Sequence, residues 1–285
     1  MAKIIDGKEI SRRLKEKIKK EVEILKGRKI EVCLAVVLVG QDPASKIYVR
    51  NKEKTCWELG ILSKEIFLYE NITEKDLLET IKILNDDEKV NGILVQLPLP
   101  KHIEENRIID YINPLKDVDC FNSLNFGKLI CRKDFIFSPC TPAGIVELID
   151  STGVDVSGKN CVVVGRSNIV GKPISFLMLK KDATVSICHS KTKNLTFFTR
   201  NADILVAAVG IANFIKKDMV KEGAIVIDVG INRENKKICG DVKYDEVFDV
   251  ASHITPVPGG VGPMTIAKLM ENVVVAAKIQ NNILN

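Results

Sequence analysis

The sequence predicts a two-domain α/β fold built on parallel sheets, and three observations carry that expectation. Apolar runs of strand length alternate with helix-length amphipathic stretches almost throughout, the pattern of parallel strands joined by crossover helices. The runs at 31–39 and 92–97 are too continuously apolar for strands with one wet face and fit strands covered on both sides. The length of 285 residues, at roughly 150 residues per domain, gives about two domains.

The elements follow in order. Residues 8–20 carry seven Lys or Arg and two Glu, while Ile10, Leu14, Ile18, Val22 and Leu25 recur every three or four positions. That spacing predicts an amphipathic helix with a solvated basic face. A buried strand follows at 31–39, then a helix at 44–59 closed by Gly60, a strand at 64–69, and a helix at 73–84 with Thr73 as N-cap. The strand at 92–97 ends at Pro98 and Pro100, which lack the amide a ladder needs. Residues 113–140 show loop signals without a clear period, the mark of a functional loop or a domain boundary. Regular alternation returns at Thr141, with Pro142 suited to the first position of a helix running to 149. Strands are expected at 160–164, 184–188, 204–209 and 224–229, and helices at 172–181, 217–221 and 264–280. The last helix turns Ile266, Leu269, Val273, Val274 and Ala277 to its apolar side.

Composition narrows the function classes. Hydrophobic residues at 46% and charged residues at 28% exclude disordered and collagen-like chains. The net charge of +5, from 42 basic and 37 acidic side chains, is mild, whereas nucleic-acid binders concentrate more positive charge. The N-terminus lacks the apolar core of a signal peptide, and no apolar run reaches membrane-span length, so a soluble cytoplasmic protein is expected. The cysteines at 33, 56, 120, 131, 140, 161, 188 and 239 form no CxxC pair, and several interrupt apolar runs. They read as small core hydrophobes in a reducing compartment, and no ligand spacing predicts a metal site.

Two groups of residues point to chemistry. Val162 to Pro173 is a strand, a glycine-containing turn and a helix start, an arrangement that brings backbone amides and a helix dipole to a phosphate. Gly165 and Gly171 are six apart, unlike the usual GxGxxG, so a plain βα turn remains the alternative. An NAD site places an acid near the end of the next strand. Here that strand ends Cys188-His189-Ser190-Lys191, without a carboxylate, so Arg166 and Ser190, with Lys191 nearby, favour the 2′-phosphate of NADP. Val209-Gly210 and Val229-Gly230-Ile231-Asn232 end two more strands with small residues that admit a ligand. In the first half, Tyr48 and Lys52 are four apart on one helical face, a spacing that by itself describes a surface pair. Gln96 interrupts an apolar strand, where its amide must find partners. Asp117 and Asp119 alternate in a loop, which puts both on one side, and a buried carboxylate there would require a partner.

Together these segments resemble the bifunctional methylenetetrahydrofolate dehydrogenase/methenyltetrahydrofolate cyclohydrolase family, over nearly the whole chain. The resemblance rests on Ser45-Lys-Ile-Tyr48-Val-Arg-Asn-Lys52-Glu-Lys54, Gly92-Ile-Leu-Val-Gln96-Leu-Pro-Leu-Pro100, Lys116-Asp-Val-Asp119 and Pro139-Cys-Thr-Pro-Ala-Gly144. It continues in Gly165-Arg-Ser-Asn-Ile-Val-Gly-Lys-Pro173, His189-Ser-Lys-Thr192 and Pro258-Gly-Gly-Val-Gly-Pro-Met-Thr265. It implies a catalytic folate-binding domain (1–140 plus 269–285), an NADP-binding Rossmann-like domain (141–268), a cleft for folate and cofactor between them, and a homodimer.

By the same resemblance Lys52 matches an acid/base lysine, Gln96 the glutamine that orients it, Tyr48 the tyrosine over the folate aminobenzoyl group, and Asp119 an aspartate that hydrogen-bonds the pterin. Gly262, Pro263 and Thr265 would line the folate site, and Gly165, Arg166, Ser167, Ser190 and Ile231 would contact NADP. The chemistry implied is NADP-dependent oxidation of 5,10-methylenetetrahydrofolate, then hydrolysis of the methenyl product to 10-formyltetrahydrofolate, without a metal. Hydride transfer mainly needs two aligned molecules, and hydrolysis needs a proton carrier, for which a lysine of depressed pKa is suited. Cys120 stands where the family usually has glycine; a positive φ there would strain the loop beside Asp119. A redox role for Cys120 is the alternative to a tolerated substitution. Retention of one activity only, a non-catalytic nucleotide-binding module and a nucleic-acid binder are the competing readings of the chain.

Overall fold

A computed structural model describes residues 1–131, 135–234 and 237–283, apart from the side chain of Ala44. In chain order the elements are β1 (Lys3–Ile4), α1 (Gly7–Gly27), β2 (Cys33–Val39), α2 (Pro43–Leu59), β3 (Leu62–Leu68), α3 (Glu74–Asp86), β4 (Gly92–Val95), α4 (Glu105–Tyr111), α5 (Ser123–Cys131) and α6 (Cys140–Asp150). There follow β5 (Asn160–Val164), α7 (Gly171–Lys180), β6 (Thr184–Cys188), α8 (Leu195–Thr199), β7 (Ile204–Ala207), β8 (Ile225–Asp228), β9 (Asn232–Glu234), β10 (Lys237–Cys239), α9 (Tyr244–Phe248), β11 (His253–Ile254) and α10 (Val261–Gln280). The chain divides into two compact units, Met1–Arg12 with Pro139–Lys268 and Arg13–Ser138 with Leu269–Asn285.

The second of these holds a three-stranded parallel sheet ordered β3-β2-β4. Every residue of β2 is buried, which accounts for its unbroken apolar run. On one face Val37 and Ile93 pack with Leu77, Ile81 and Leu84 of α3 and Ile108 of α4. α2 starts where the Asp42 carboxylate accepts the Ser45 amide at 2.7 Å, and it stops at Gly60, whose φ of 76° suits a residue without a side chain. Thr73 caps α3 by accepting the Asp76 amide. The end of α3 is closed from a distance: buried Lys116 donates from Nζ to the carbonyls of Leu84, Asn85 and Asp87. These are among the carbonyls a helix leaves without internal partners.

The other unit holds a six-stranded sheet ordered β1-β11-β8-β7-β5-β6, parallel throughout. β6 lies on one side of β5 and β7 on the other, so the strand order reverses at β5. In open parallel sheets ligands bind beyond the carboxyl ends of the strands at such a reversal. Val162, Val164, Leu205, Ala207 and Val226 form the core on one face.

Several elements differ from the sequence expectation. Residues 1–12 cluster with the six-stranded unit, because Lys3 and Ile4 pair with His253 and Ile254. Pro142 is the third residue of α6 rather than the first, a place still inside the first turn where no amide is needed. The strand expected at 204–209 ends at Ala207, since the amides of Val209 and Gly210 turn to the Asp241 carboxylate. The helix expected at 217–221 is a single 3-10 turn, Lys217–Met219. Six cysteines are buried as expected, but Cys131 at the end of α5 is exposed and Cys239 in β10, which pairs with β9, is half-buried. Among the described residues no helix is long and apolar enough to cross a membrane.

Candidate active site

In the three-stranded unit α2 carries Tyr48 and Lys52, and Lys52 Nζ donates to Gln96 Oε1 at 3.0 Å. Gln96 is not inside a strand: β4 ends at Val95, and Gln96 is half-buried just past it. Its amide still donates to Val37 O at 2.9 Å, while Pro98, without an amide, ends the ladder. The Gln96 side chain donates from Nε2 to Leu97 O at 3.0 Å, which turns Oε1 toward the lysine. The polar residue in an apolar run thus has both ends of its amide satisfied.

Asp117 and Asp119 do not share an environment. Asp117 bridges to Ile93, but the chain then turns, the Cys120 amide donating to Asp117 O, and the alternation breaks. Asp117 is 2% exposed; its carboxylate accepts from the amides of Phe121 and Asn122 and from Asn125 Nδ2. Burial pushes its carboxyl up to about 6 against those donors. Asp119 is half-buried, two residues beyond the bridge and inside that turn. Cys120 does take a positive φ, 60°, the conformation the sequence anticipated for a glycine. Its thiol is buried and donates to Phe137 O at 3.2 Å. Burial raises the thiol far above its ordinary range, which suppresses the reactive thiolate a redox role needs.

The six-stranded unit gathers a second set at the carboxyl ends of its strands. Gly165 has φ 133°, and a Cβ there would overlap the carbonyl of Ala208; a Cβ on Gly171 would overlap the carbonyl of Gly165. The loop after β5 therefore closes backbone on backbone. The first turn of α7 is not free to meet a phosphate as expected. Ser167 Oγ accepts the amides of Val170 and Gly171, Ser167 O accepts that of Lys172, and Pro173 has none. The donors lie one step earlier: among the described residues the amides of Arg166, Ser167 and Asn168 make no hydrogen bond. Arg166 is exposed, as are Ser190 and Lys191 in the turn after β6, where His189 Nδ1 accepts the Lys191 amide at 3.2 Å. Ile231, after β8, is 55% exposed. Bare glycine backbone, free amides, cationic side chains and exposed apolar tips fit a phosphorylated dinucleotide.

Two residues here escaped the sequence reading. Asp228 and Asp241 are 3% and 0% exposed, and together they accept amides from the loops after β7 and β8. The signal for Asp228 was present, a carboxylate inside the apolar run 224–229, the same kind of anomaly as Gln96. Gly262 and Pro263 lie in the first turn of α10 and Thr265 just beyond it, and all three belong to the six-stranded unit. Ser11 Oγ donates to Pro263 O at 3.1 Å, Thr265 Oγ1 lies 2.9 Å from Thr141 Oγ1, and Gly262 is exposed.

Two family profiles match the chain: the catalytic domain of tetrahydrofolate dehydrogenase/cyclohydrolase over residues 5–119, and the NAD(P)-binding domain of the same enzymes over residues 139–281. The chain belongs to the tetrahydrofolate dehydrogenase/cyclohydrolase family. It is 58% identical over 281 residues to the bifunctional protein FolD of Acetivibrio thermocellus, covering 98% of each chain. The crystal structure of the bifunctional FolD dehydrogenase/cyclohydrolase from Campylobacter jejuni is 50% identical with a TM-score of 0.96, over 98% of this chain and 99% of that one. The Trypanosoma brucei FolD, solved with NADP cofactor and inhibitor, is 35% identical with a TM-score of 0.94 over 98% of each. Of the tetrahydrofolate dehydrogenase/cyclohydrolase profiles, the catalytic one takes in Tyr48, Lys52, Gln96 and Asp119, and the NAD(P)-binding one takes in Gly165 through Thr265.

Proposed function

We infer that the chain is a bifunctional folate enzyme, which oxidises 5,10-methylenetetrahydrofolate with NADP and hydrolyses the 5,10-methenyl product to 10-formyltetrahydrofolate. The observation that carries this reading is that one chain matches both the catalytic and the NAD(P)-binding profile, with bifunctional relatives alike over 98% of their length.

In the oxidation, a hydride leaves the methylene carbon of the folate and the methenyl cation remains. NADP supplies the hydride acceptor when bound. Arg166 and Ser190 read its 2′-phosphate, Gly165 and Ser167 hold the backbone against its phosphates, and Ile231 covers an apolar part. The protein has no proton to move here, so its task is alignment.

In the hydrolysis, water adds to the methenyl carbon. Lys52 takes a proton from the added water and returns one to N5 as the carbon–N5 bond breaks, leaving the formyl group on N10. Over the whole step one proton is released. Gln96, hydrogen-bonded to Lys52 Nζ, fixes the position of the amine, and such placed proton transfer contributes about 10²- to 10⁴-fold. Tyr48 packs on the aminobenzoyl group, Asp119 accepts from the pterin, and Gly262, Pro263 and Thr265 line the folate site. The enzyme works as a homodimer in the cytoplasm. The free edge of β3, with Leu62 and Phe67 exposed, supports the dimer, which sedimentation equilibrium checks. Cysteines buried as small core residues, among them Cys33, Cys56 and Cys161, support a reducing compartment.

Two spectrophotometric assays test the reading. The purified protein should form NADPH from methylenetetrahydrofolate and NADP, and should consume methenyltetrahydrofolate without nucleotide. Absence of either reaction removes that half of the function.

A further inference from the structure

Neither Asp228 nor Asp241 has a part in the chemistry above, yet both are carboxylates placed inside the six-stranded unit, where a carboxylate costs several kcal/mol unless its oxygens are satisfied. Asp228 closes β8. Its Oδ1 accepts the amides of Gly230 at 3.0 Å and Asp241 at 2.8 Å, and its Oδ2 accepts that of Val242 at 2.9 Å. Asp241, whose backbone is held in this way, offers its own carboxylate outward to the neighbouring loops. Oδ2 accepts the amides of Val209 at 2.7 Å and Gly210 at 3.0 Å, and Oδ1 accepts the Ile211 amide and Asn232 Nδ2, both at 2.9 Å. The two carboxylates lie against bare backbone. A Cβ on Gly230 would overlap the Asp241 carboxylate, and one on Gly240 the Asp228 carboxylate.

What these bonds fix is specific. They do not tie strand to strand, which the parallel ladders already do. They set the backbone of 209–211 and 230–232, the segments that leave the carboxyl ends of β7 and β8. Each segment carries an apolar side chain left in solvent, Ile211 at 53% and Ile231 at 55% exposure. In a sheet whose order reverses at β5, the half of a dinucleotide carrying the adenosine belongs with β5 and β6. The other half, which carries the nicotinamide, belongs with β7 and β8.

We propose that Asp241, seated on Asp228, is a positioning residue for the nicotinamide half of NADP, holding the two strand-end loops on which that half rests. This rests on the reading of the unit as an NADP site. The carboxylate works through the loops and touches no reacting atom. Its isosteric amide, Asn, would turn an NH₂ group toward some of the converging donors and release part of the loop.

Titration calorimetry on the full chain tests this with two probes, NADP and adenosine 2′,5′-bisphosphate, which keeps the adenosine and 2′-phosphate but lacks the nicotinamide. In Asp241→Asn the Kd for NADP should rise at least about tenfold, the loss expected when charge-assisted bonds are broken, while that for the bisphosphate stays within about twofold. Asn232→Ala, which removes one donor from the same carboxylate, should weaken NADP in the same direction by less, and it carries the test if Asp241→Asn does not fold. NADP binding unchanged in both variants would overturn the proposal. So would an equal loss for the two probes, which would make Asp241 a support of the whole unit. The binding comparison stands whether or not the unaltered protein oxidises the folate, so failure of the enzymatic reading and failure of this one are told apart.

Discussion

Arg166 is exposed beside Gly165, at the point where the backbone amides of the loop are free. If it reads the 2′-phosphate, Arg166→Ala should weaken NADP by about 10- to 100-fold, the range of a lost charge-assisted contact, and NAD by less than about threefold. Equal losses in steady-state KM would show that the guanidinium reads something common to both nucleotides. Asp117 makes a prediction about pH. Its folded pKa, raised by burial from the ordinary carboxyl value near 4 to about 6, means that the folded state holds the proton more tightly than the unfolded chain. Its contribution to stability is therefore present below about pH 4 and lost as pH rises through about 6, a change of about 3 kcal/mol. Urea unfolding of Asp117→Asn between pH 4 and 7 should lack this part of the decline, while keeping the part due to Asp228, whose carboxyl burial pushes up to about 7. An unchanged slope would show that Asp117 does not titrate in that window. At this scale Gln96 was legible because an amide in an apolar run needs partners, and Lys52 became legible only through its neighbours in a family motif. Asp241 was not legible, because its partners at 209–211 lie some 30 residues earlier and the amides it satisfies leave no trace in side-chain type.

Among the elements, those with a sustained period were readable. β5 and β6 fall on 160–164 and 184–188, the ranges their apolar runs predicted, and Thr73 and Gly60 mark the ends of α3 and α2. The stretch 113–140 was not readable, and it contains α5, with α4 just before it. These helices are too short for a helical period to emerge, and side chains from elsewhere hold them, as Asp117 holds Asn125 in α5. The same holds at the end of α3, where the capping group is Lys116, about 30 residues on. Replacing it by Met would strand the carbonyls of Leu84 and Asn85 and leave that of Asp87 with the Val90 amide alone, and Lys116→Met should lose about 2–4 kcal/mol of unfolding free energy. A loss below about 0.5 kcal/mol would mean that water satisfies those carbonyls as well as the ammonium does.

For the whole molecule, the alternation of strand and helix predicts the α/β class, and a carboxylate-free strand end with Arg166 and Ser190 points to NADP, in keeping with the NAD(P)-binding profile. The grouping of the first twelve residues could not be seen, because β1 is two residues long and its partner β11 lies about 250 residues away. The compact units divide within α1 and within α10, so both long helices contribute to both units. That arrangement leaves no local composition change to mark a boundary. In the proposed function the units divide the chemistry: oxidation would draw on the nucleotide loops of one, and hydrolysis on Lys52 and Gln96 of the other. The most direct test of that account is the rate of methenyltetrahydrofolate hydrolysis by Lys52→Met, measured without nucleotide beside the unaltered protein. A fall of at least about a hundredfold is predicted, and hydrolysis at the unaltered rate would contradict the account.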